Sequence, residues 1–473
     1  MKKTTNFVCA LLFLLIAGIG VVKAQSQVEM TTSLPVGADF SFTVNSGASI
    51  TVDWGDGTPV AVVSNGAPIT GPLKGNVVKI SGDMVSLLDC SSQSLTALVT
   101  DNATALRVLY CADNDLAALT LSKNTELLQL DCSGNKLTTI SLTANKKLTF
   151  LDCSDNALTA ISTRYCVELE QLLCSNNSIT TLSLTHLPKL KTLWCEGNKL
   201  SALTISSNPL LESVICDDNN ISRINVSSAL YPQMTDFWCA NNNLTNLILN
   251  GASNIETLNL EDNQISAVTL SALSKPALAV YMGNNALDFS FFYNKDRAGH
   301  ISYTNQAPFA LSASEVDIDE VLNCPDIRKD IEENSVATTY TWINDADNST
   351  LARGAKKDYV TVSGKTYSFK FKKAFESIHC EATSTYFPGV TLTSEPLRVI
   401  DPNATAIREA TQNSGFTYFA VAGALHMSAQ SPLAVAIYTL EGKLVWSGTV
   451  GQNGTRVPLS RGVYLVNNIK VAL

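Results

Sequence analysis

Cysteine is the residue whose spacing in this chain most invites chemistry. Seven of the 12 cysteines recur at one constant interval, at Cys90, Cys111, Cys132, Cys153, Cys174, Cys195 and Cys216, and Cys239 comes next after a short insertion. A thiol can bridge, hold a soft metal or attack as a nucleophile. A disulfide needs Cβ atoms about 3.5–4.5 Å apart and converging, whereas stacked strands hold equivalent side chains about 4.8 Å apart and parallel. Metal sites draw on clusters such as C-x-x-C, and the sequence has none. The ladder is therefore expected to be a spine of small buried apolar groups. Cys166 occupies a place where other turns carry Asn124, Asn145 or Asn208, and is expected to be an accessible free thiol.

No other residues assemble a reaction. His186, His300, His379 and His426 lie in unrelated contexts, and neither H-E-x-x-H nor G-x-S-x-G occurs. Asp53, Asp56 and Gly57 lack the ligand series of a calcium loop and read as a hairpin turn. Gly364-Lys365-Thr366 has Tyr359 where the leading Gly of a phosphate loop belongs. No catalytic residue, metal or cofactor is expected. The net charge of −9 argues against nucleic acid as a partner, because phosphate binding draws on basic patches.

A fixed period of roughly 20 residues signals a stacked coil, each turn covering the open face of the last. Leu260 and Met282 continue the cysteine row, so about ten turns can be counted over residues 84–290. Three positions after each core residue stands Asn114, Asn135, Asn156, Asn177, Asn198, Asn219, Asn242, Asn263 or Asn285, with Gln93 in the first turn. An Asn amide suits a place where the chain bends out of a strand, since it can bond backbone groups there. Leu109-Tyr110-Cys111 and its equivalents alternate inward and outward, which predicts a parallel sheet. The return limb, as in Leu137-Thr138-Thr139-Ile140, also alternates, and both limbs are expected to be extended. The pattern resembles the leucine-rich repeat, L-x-x-L-x-L-x-x-N-x-L, with Cys in the third Leu slot. The expected fold class is mainly β, a leucine-rich repeat solenoid between β-rich end domains.

The flanking segments carry their own signals. Residues 1–24 read as a secretion signal: Lys2 and Lys3, an apolar run from Phe7 to Val22, then Val22-Lys23-Ala24. Residues 25–83 hold alternating runs with Asp-Gly and Asn-Gly turns and are expected to cap the coil. Their phrase Val52-Asp53-Trp54-Gly55-Asp56-Gly57 resembles the turn of polycystic-kidney-disease-type β-sandwiches. Residues 291–400 lose the period, and Trp342 followed by the Cys380-bearing run is similar to an immunoglobulin-like sandwich. That resemblance implies that Cys324 could pair with Cys380, which an exported location would permit. Residues 401–414 read as a linker. Residues 415–473, with Glu441-Gly442-Lys443, Arg461-Gly462-Val463-Tyr464 and a short final run, resemble the C-terminal sorting domain of type IX secretion. The resemblance implies passage to the outer surface, removal of the tail and attachment through lipopolysaccharide.

Repeats followed by such a sandwich resemble the internalin family, and the short cysteine-containing repeats resemble its internalin J-like members. These are surface proteins that grip host or neighbouring-cell partners with the repeat face. The outward positions name the residues expected to make the contact on the concave face: Tyr110, Phe150, Leu173, Trp194, Ile215, Asp217, Asp236, Trp238 and Tyr281. Leu173, Trp194, Ile215 and Trp238 would form an apolar stripe edged by acids, a composition that marks interfaces. A protein partner is the first expectation, serving adhesion, biofilm formation or host interaction. A glycan is the alternative, since aromatic rings also stack on sugars.

Overall fold

The computed structural model describes residues 25–47, 49–225, 231–249, 252–270, 279–288, 301–325, 338–362, 367–384, 390–401, 416–421, 424–439, 442–460, 463–466 and 469–472. The signal expected over 1–24 lies outside the described residues, as does the linker beyond Asp401. The described secondary structure is β throughout. The chain divides into two compact units, one holding the N-terminal module and the coil up to Ala307, the other most of the remaining chain.

In the first unit each turn contributes one short strand to a parallel sheet, from Leu87–Asp89 and Val108–Tyr110 through Thr192–Trp194 and Asp236–Trp238 to Ala279–Tyr281. The middle residue of each strand is buried and its neighbours are part-exposed or exposed, as period-two alternation dictates. The cysteines that come next in the row are buried, and these thiols are free. Their S–H groups donate to the carbonyl of the next turn, as from Cys132 to Asp152 and from Cys153 to Leu173, both at 3.5 Å. Withdrawal from water pushes each thiol of the row from Cys90 to Cys195 well above the usual thiol range, and at Cys216 a hydrogen bond with Cys239 adds to burial as the larger cause.

The asparagine row explains how so short a turn closes. The Asn177 amide nitrogen donates to the carbonyls of Cys174 and Ser175 in its own turn and of Cys153 one turn back, at 3.2, 3.0 and 3.0 Å. Its oxygen accepts the Leu158 N–H at 2.9 Å. Asn135, Asn198, Asn219, Asn242 and Asn263 repeat this arrangement. The residue before each Asn adopts positive φ, at Asp113, Asp155, Asn176, Asp218, Asn241, Asp262 and Asn284, or is Gly134 or Gly197. Asn, Asp and Gly tolerate this left-handed conformation best. At Gly134 a Cβ would also stand 2.5 Å from the Asp113 carboxylate of the previous turn.

The coil runs one turn beyond the ten counted from sequence. Ile301–Ser302 pairs with Val280 and Tyr281, and Gln306 takes the asparagine role, donating to Met282 and accepting from Leu287. Gln93 plays the corresponding part at the other end, where its oxygen accepts the Ser41 N–H of the N-terminal module. That module closes the coil with two sheets. Asp39–Asn45 pairs antiparallel with the first coil strand, while Gln25–Thr32 pairs with the first return limb, Leu95–Val99. Only some return limbs form regular strands, such as Ala202–Thr204 with Arg223–Asn225 and Asn246–Leu249 with Ala267–Leu270. The others pass through turns between buried leucines, so the outer limb is less regular than its alternation predicts.

A second inward row on the return side holds Asn124, Asn145, Cys166, Leu187, Asn208 and Tyr231, all buried. This corrects the expectation for Cys166. It is a buried thiol, raised by burial to about 11, because the row it shares points into the coil. Its asparagine neighbours serve backbone carbonyls there, as from Asn145 to Leu121 and Asn124. Tyr231 does the same with its hydroxyl, to Ile205 at 3.1 Å.

The second unit contains two facing groups of strands and a C-terminal set. Trp342, on Thr338–Asn344, is fully buried with its ring 5.6 Å from Phe369 and 4.8 Å from Phe371 of the strand Ser368–Phe371. Cys380 on Phe375–Ser384 and Cys324 beside Leu322–Asn323 are both buried thiols, close enough to hydrogen-bond. Towards the C-terminus Leu433–Thr439 and Leu444–Val450 form a hairpin, and Val463–Val466 and Ile469–Ala472 extend its sheet. Phe416, Tyr418, Leu425, Met427, Ile437 and Val466 meet in its core.

Replacing Asn177 by Ala removes these amide bonds and leaves Leu158 N–H and several carbonyls buried without a partner. The expected loss of stability is about 2–4 kcal/mol, measured as a lower urea midpoint. A midpoint equal to the unmodified protein's would contradict the weight placed on the row.

Candidate protein-binding face

Outward positions of adjacent coil strands stand opposite one another in the parallel register. Leu173 pairs with Trp194, Trp194 with Ile215, Ile215 with Trp238, Trp238 with Asn259 and Asn259 with Tyr281. At about 4.8 Å per strand, the stretch from Leu173 to Trp238 is a row about 14 Å long, and all four side chains are part-exposed. Tyr110, Asp131 and Asp152 lie earlier in the same row. Phe150 stands to one side, between Gln129 and Gln171, and Asp236 occupies that flanking row between Ser213 and Thr257. Polar bonds fix several of these groups. The Tyr110 hydroxyl donates to Gln129 Oε1 at 2.6 Å, and the Thr235 hydroxyl donates to Asp236 at 2.7 Å. The Trp194 ring N–H reaches Ser213 Oγ at 3.4 Å.

On the opposite flank, just past the cysteines, stand Ser175, Glu196, Asp217 and Glu261. The structure therefore brings Leu173, Trp194, Ile215, Trp238, Asp217 and Asp236 together, with Tyr281 at one end of the row and Tyr110 and Phe150 towards the other. Asp217 accepts the Ala240 N–H at 2.6 Å, and Asp152 accepts the Ser154 N–H at 2.9 Å. Burial in the sheet face, reinforced by nearby carboxylates, raises both acids to about 6. Burial likewise raises Asp131 and Glu196. One oxygen of Glu196, Oε2, is withdrawn from water, with the Ser175 hydroxyl as the neighbouring donor to the carboxyl.

Residues 167–208 match the family described as leucine rich repeats (2 copies). The turns within this stretch are similar to leucine-rich repeats. Among solved structures, the functional domain of InlJ from Listeria monocytogenes, described as including a cysteine ladder, is 19% identical over 68% of this chain and 93% of that one, with a TM-score of 0.28. YopM from Yersinia enterocolitica is 22% identical over 49% of this chain and 50% of its own length, with a TM-score of 0.41. A leucine-rich repeat protein of Leptospira interrogans is 17% identical over 44% of this chain and 63% of that one, with a TM-score of 0.36. No curated protein matches the chain.

The carboxylates that edge the strand face include a set that the amino-acid pattern alone does not single out. Asp113, Asp155, Asp218 and Asp262 share the positive-φ row beside the strand face. The signal was present, since that row contains only Ser, Asp, Asn and Gly, but their side chains were not read as part of the face. In the N-terminal module, Asp53 spends one oxygen on the Gly55 and Gly57 N–H groups. Asp56 is bound to Thr58 and, at 2.7 Å, to Lys74, which holds its carboxyl far below the usual range. Both carboxylates thus shape a turn, and Trp54 packs behind it 6.0 Å from Phe42.

The raised acids set a pH dependence for the repeats. Because Asp152 and Asp217 titrate near 6 in the fold and near 3.8 in the free chain, the folded state binds more protons between those values. Their effect is to lower stability as pH rises through about 4 to 6. Asp152→Asn with Asp217→Asn is expected to raise the melting temperature at about pH 7.5 and to flatten its change between about pH 4 and 6. An unchanged slope in thermal unfolding monitored by circular dichroism would contradict the assignment.

Proposed function

We propose that this chain is an exported surface protein whose leucine-rich repeats bind a protein partner through their strand face, in support of adhesion, biofilm formation or host interaction. The observation that carries the reading is the row Leu173, Trp194, Ile215 and Trp238, four large apolar side chains held in register and part-exposed. A contiguous apolar surface with aromatic anchors and polar edges has the composition of an interface centre. Leucine-rich repeats commonly mediate protein–protein interaction, which favours a binding role over catalysis.

The export half of the proposal rests on Lys2, Lys3 and the apolar run after them, and on the resemblance of the C-terminal segment 415–473 to a type IX sorting domain. The hairpin and the two strands after it are consistent with that address function. The buried Trp342 and the meeting of Cys324 with Cys380 favour an immunoglobulin-like sandwich, with the two thiols able to oxidise to a bridge outside the cell. After removal of the tail, the rest of the chain would be held by lipopolysaccharide.

Trp194→Ala with Trp238→Ala is expected to lower adhesion about tenfold or more while the melting temperature stays nearly constant. Adhesion equal to that of the unmodified protein would refute the assignment of the face, and capture on a glycan array instead of a protein-coated surface would favour the glycan alternative. Proteolysis of intact cells with mass spectrometry of the mature chain is expected to find Gln25 as the first residue and no peptide from residues 415–473. Recovery of those C-terminal peptides at the surface would refute tail removal.

A further inference from the structure

Acids on and off the strand face are treated differently. Off the strand face, four acids are paired with a lysine one turn later: Asp115 with Lys136, Glu126 with Lys147, Glu168 with Lys189 and Glu170 with Lys191, at 2.6, 2.6, 2.5 and 2.7 Å. An offset of one period places opposite charges on neighbouring turns without disturbing the fold, so this sequence has a ready way to neutralise a carboxylate. It does not use it on the strand face. From Leu87 to Asn284, the outward strand positions and the two positions after each core residue contain no Lys, Arg or His. Among the described residues, no ion pair involves Asp131, Asp152, Glu196, Asp217 or Asp236.

This omission is costly to the free protein. The carboxylates are part-buried along one face, and burial, with a smaller contribution from neighbouring carboxylates, raises the proton affinities of Asp152 and Asp217. Glu196 is likewise raised by burial, with the Ser175 hydroxyl as its neighbouring donor and, among the described residues, no cation beside it. The apolar row Leu173, Trp194, Ile215 and Trp238 runs between Asp236 on one flank and Glu196 and Asp217 on the other. A ligand that covers the row would carry its own edges onto those acids and remove them further from water. Positive groups make that burial most favourable, since they supply the opposite charge as well as a hydrogen-bond donor.

Building on the reading of the strand face as a protein-binding surface, we propose that its occupant is a cationic polypeptide segment, with lysine or arginine side chains flanking an apolar stretch that lies along Leu173, Trp194, Ile215 and Trp238. The charges select the partner and speed its approach, and the apolar row supplies most of the holding contact.

The test uses the full chain and three peptides of equal length, sharing a central Leu/Tyr stretch and flanked by Lys and Arg, by Gln, or by Glu. Binding is read by fluorescence anisotropy at about 50 and about 500 mM salt, alongside the adhesion assay for the same variants. The Lys/Arg peptide is expected to bind best and to weaken about fivefold or more at the higher salt, where the screening length falls to a few ångströms. Glu196→Gln with Asp217→Asn should weaken it severalfold and reduce the salt response. Asp236→Asn is a second, independently placed variant should the pair perturb folding. Binding that survives Trp194→Ala with Trp238→Ala would mark generic attraction to an acidic protein and overturn the proposal. Equal binding of the Gln peptide would also overturn it. If adhesion requires the tryptophans but ignores salt and the acid substitutions, the cationic partner is refuted and the protein-binding face stands. If adhesion ignores the tryptophans, both fall.

Discussion

So short a coil turn has too little chain to satisfy its own backbone by helix, and the asparagine row is the device that makes such a turn possible. Each amide gathers carbonyls from two turns and one N–H at the bend where the strand ends. Buried backbone groups without partners would cost more than a small core can return. Once the bend is fixed, the leucine and cysteine positions are determined, because the strand's alternation can bury only one face. The outward residues are determined in turn: they are held in register because every strand ends in the same bend.

The same constraint explains what was legible in the amino-acid sequence and what was hidden. The cysteine and asparagine rows were legible because one residue type is required at each position, so the parallel sheet and its outward row could be read from spacing alone. The last turn was not, because Tyr303 replaces cysteine and Gln306 replaces asparagine there. Gln93 in the first turn hints at that substitution, since an extra methylene still reaches the carbonyls. The irregular return limbs were hidden for a different reason. Alternating Thr and Leu report which side chains are buried, and turns can satisfy that alternation as well as strands can.

Cys166 shows where composition misleads. A row that contains asparagine looks solvated, and a thiol within it looks reachable. In the structure the row faces inward, and its amides serve carbonyls of the turn before. Polarity marked a hydrogen-bonding need inside the coil, and where that need is met by neighbouring backbone an apolar side chain such as Leu187 fits equally well. The face residues were easier to place than to interpret. Their register is fixed by the sheet, but the unpaired state of the acids beside them emerges only when the paired acids off the strand face are seen in space.

Each asparagine bonds its own turn and the turn before it, and none of these bonds reaches further. A whole period can therefore be inserted or excised with every amide finding an equivalent partner at the new junction. Such a molecule can lengthen or shorten by whole turns, changing its recognition surface in single-strand increments while the scaffold beneath keeps the same chemistry.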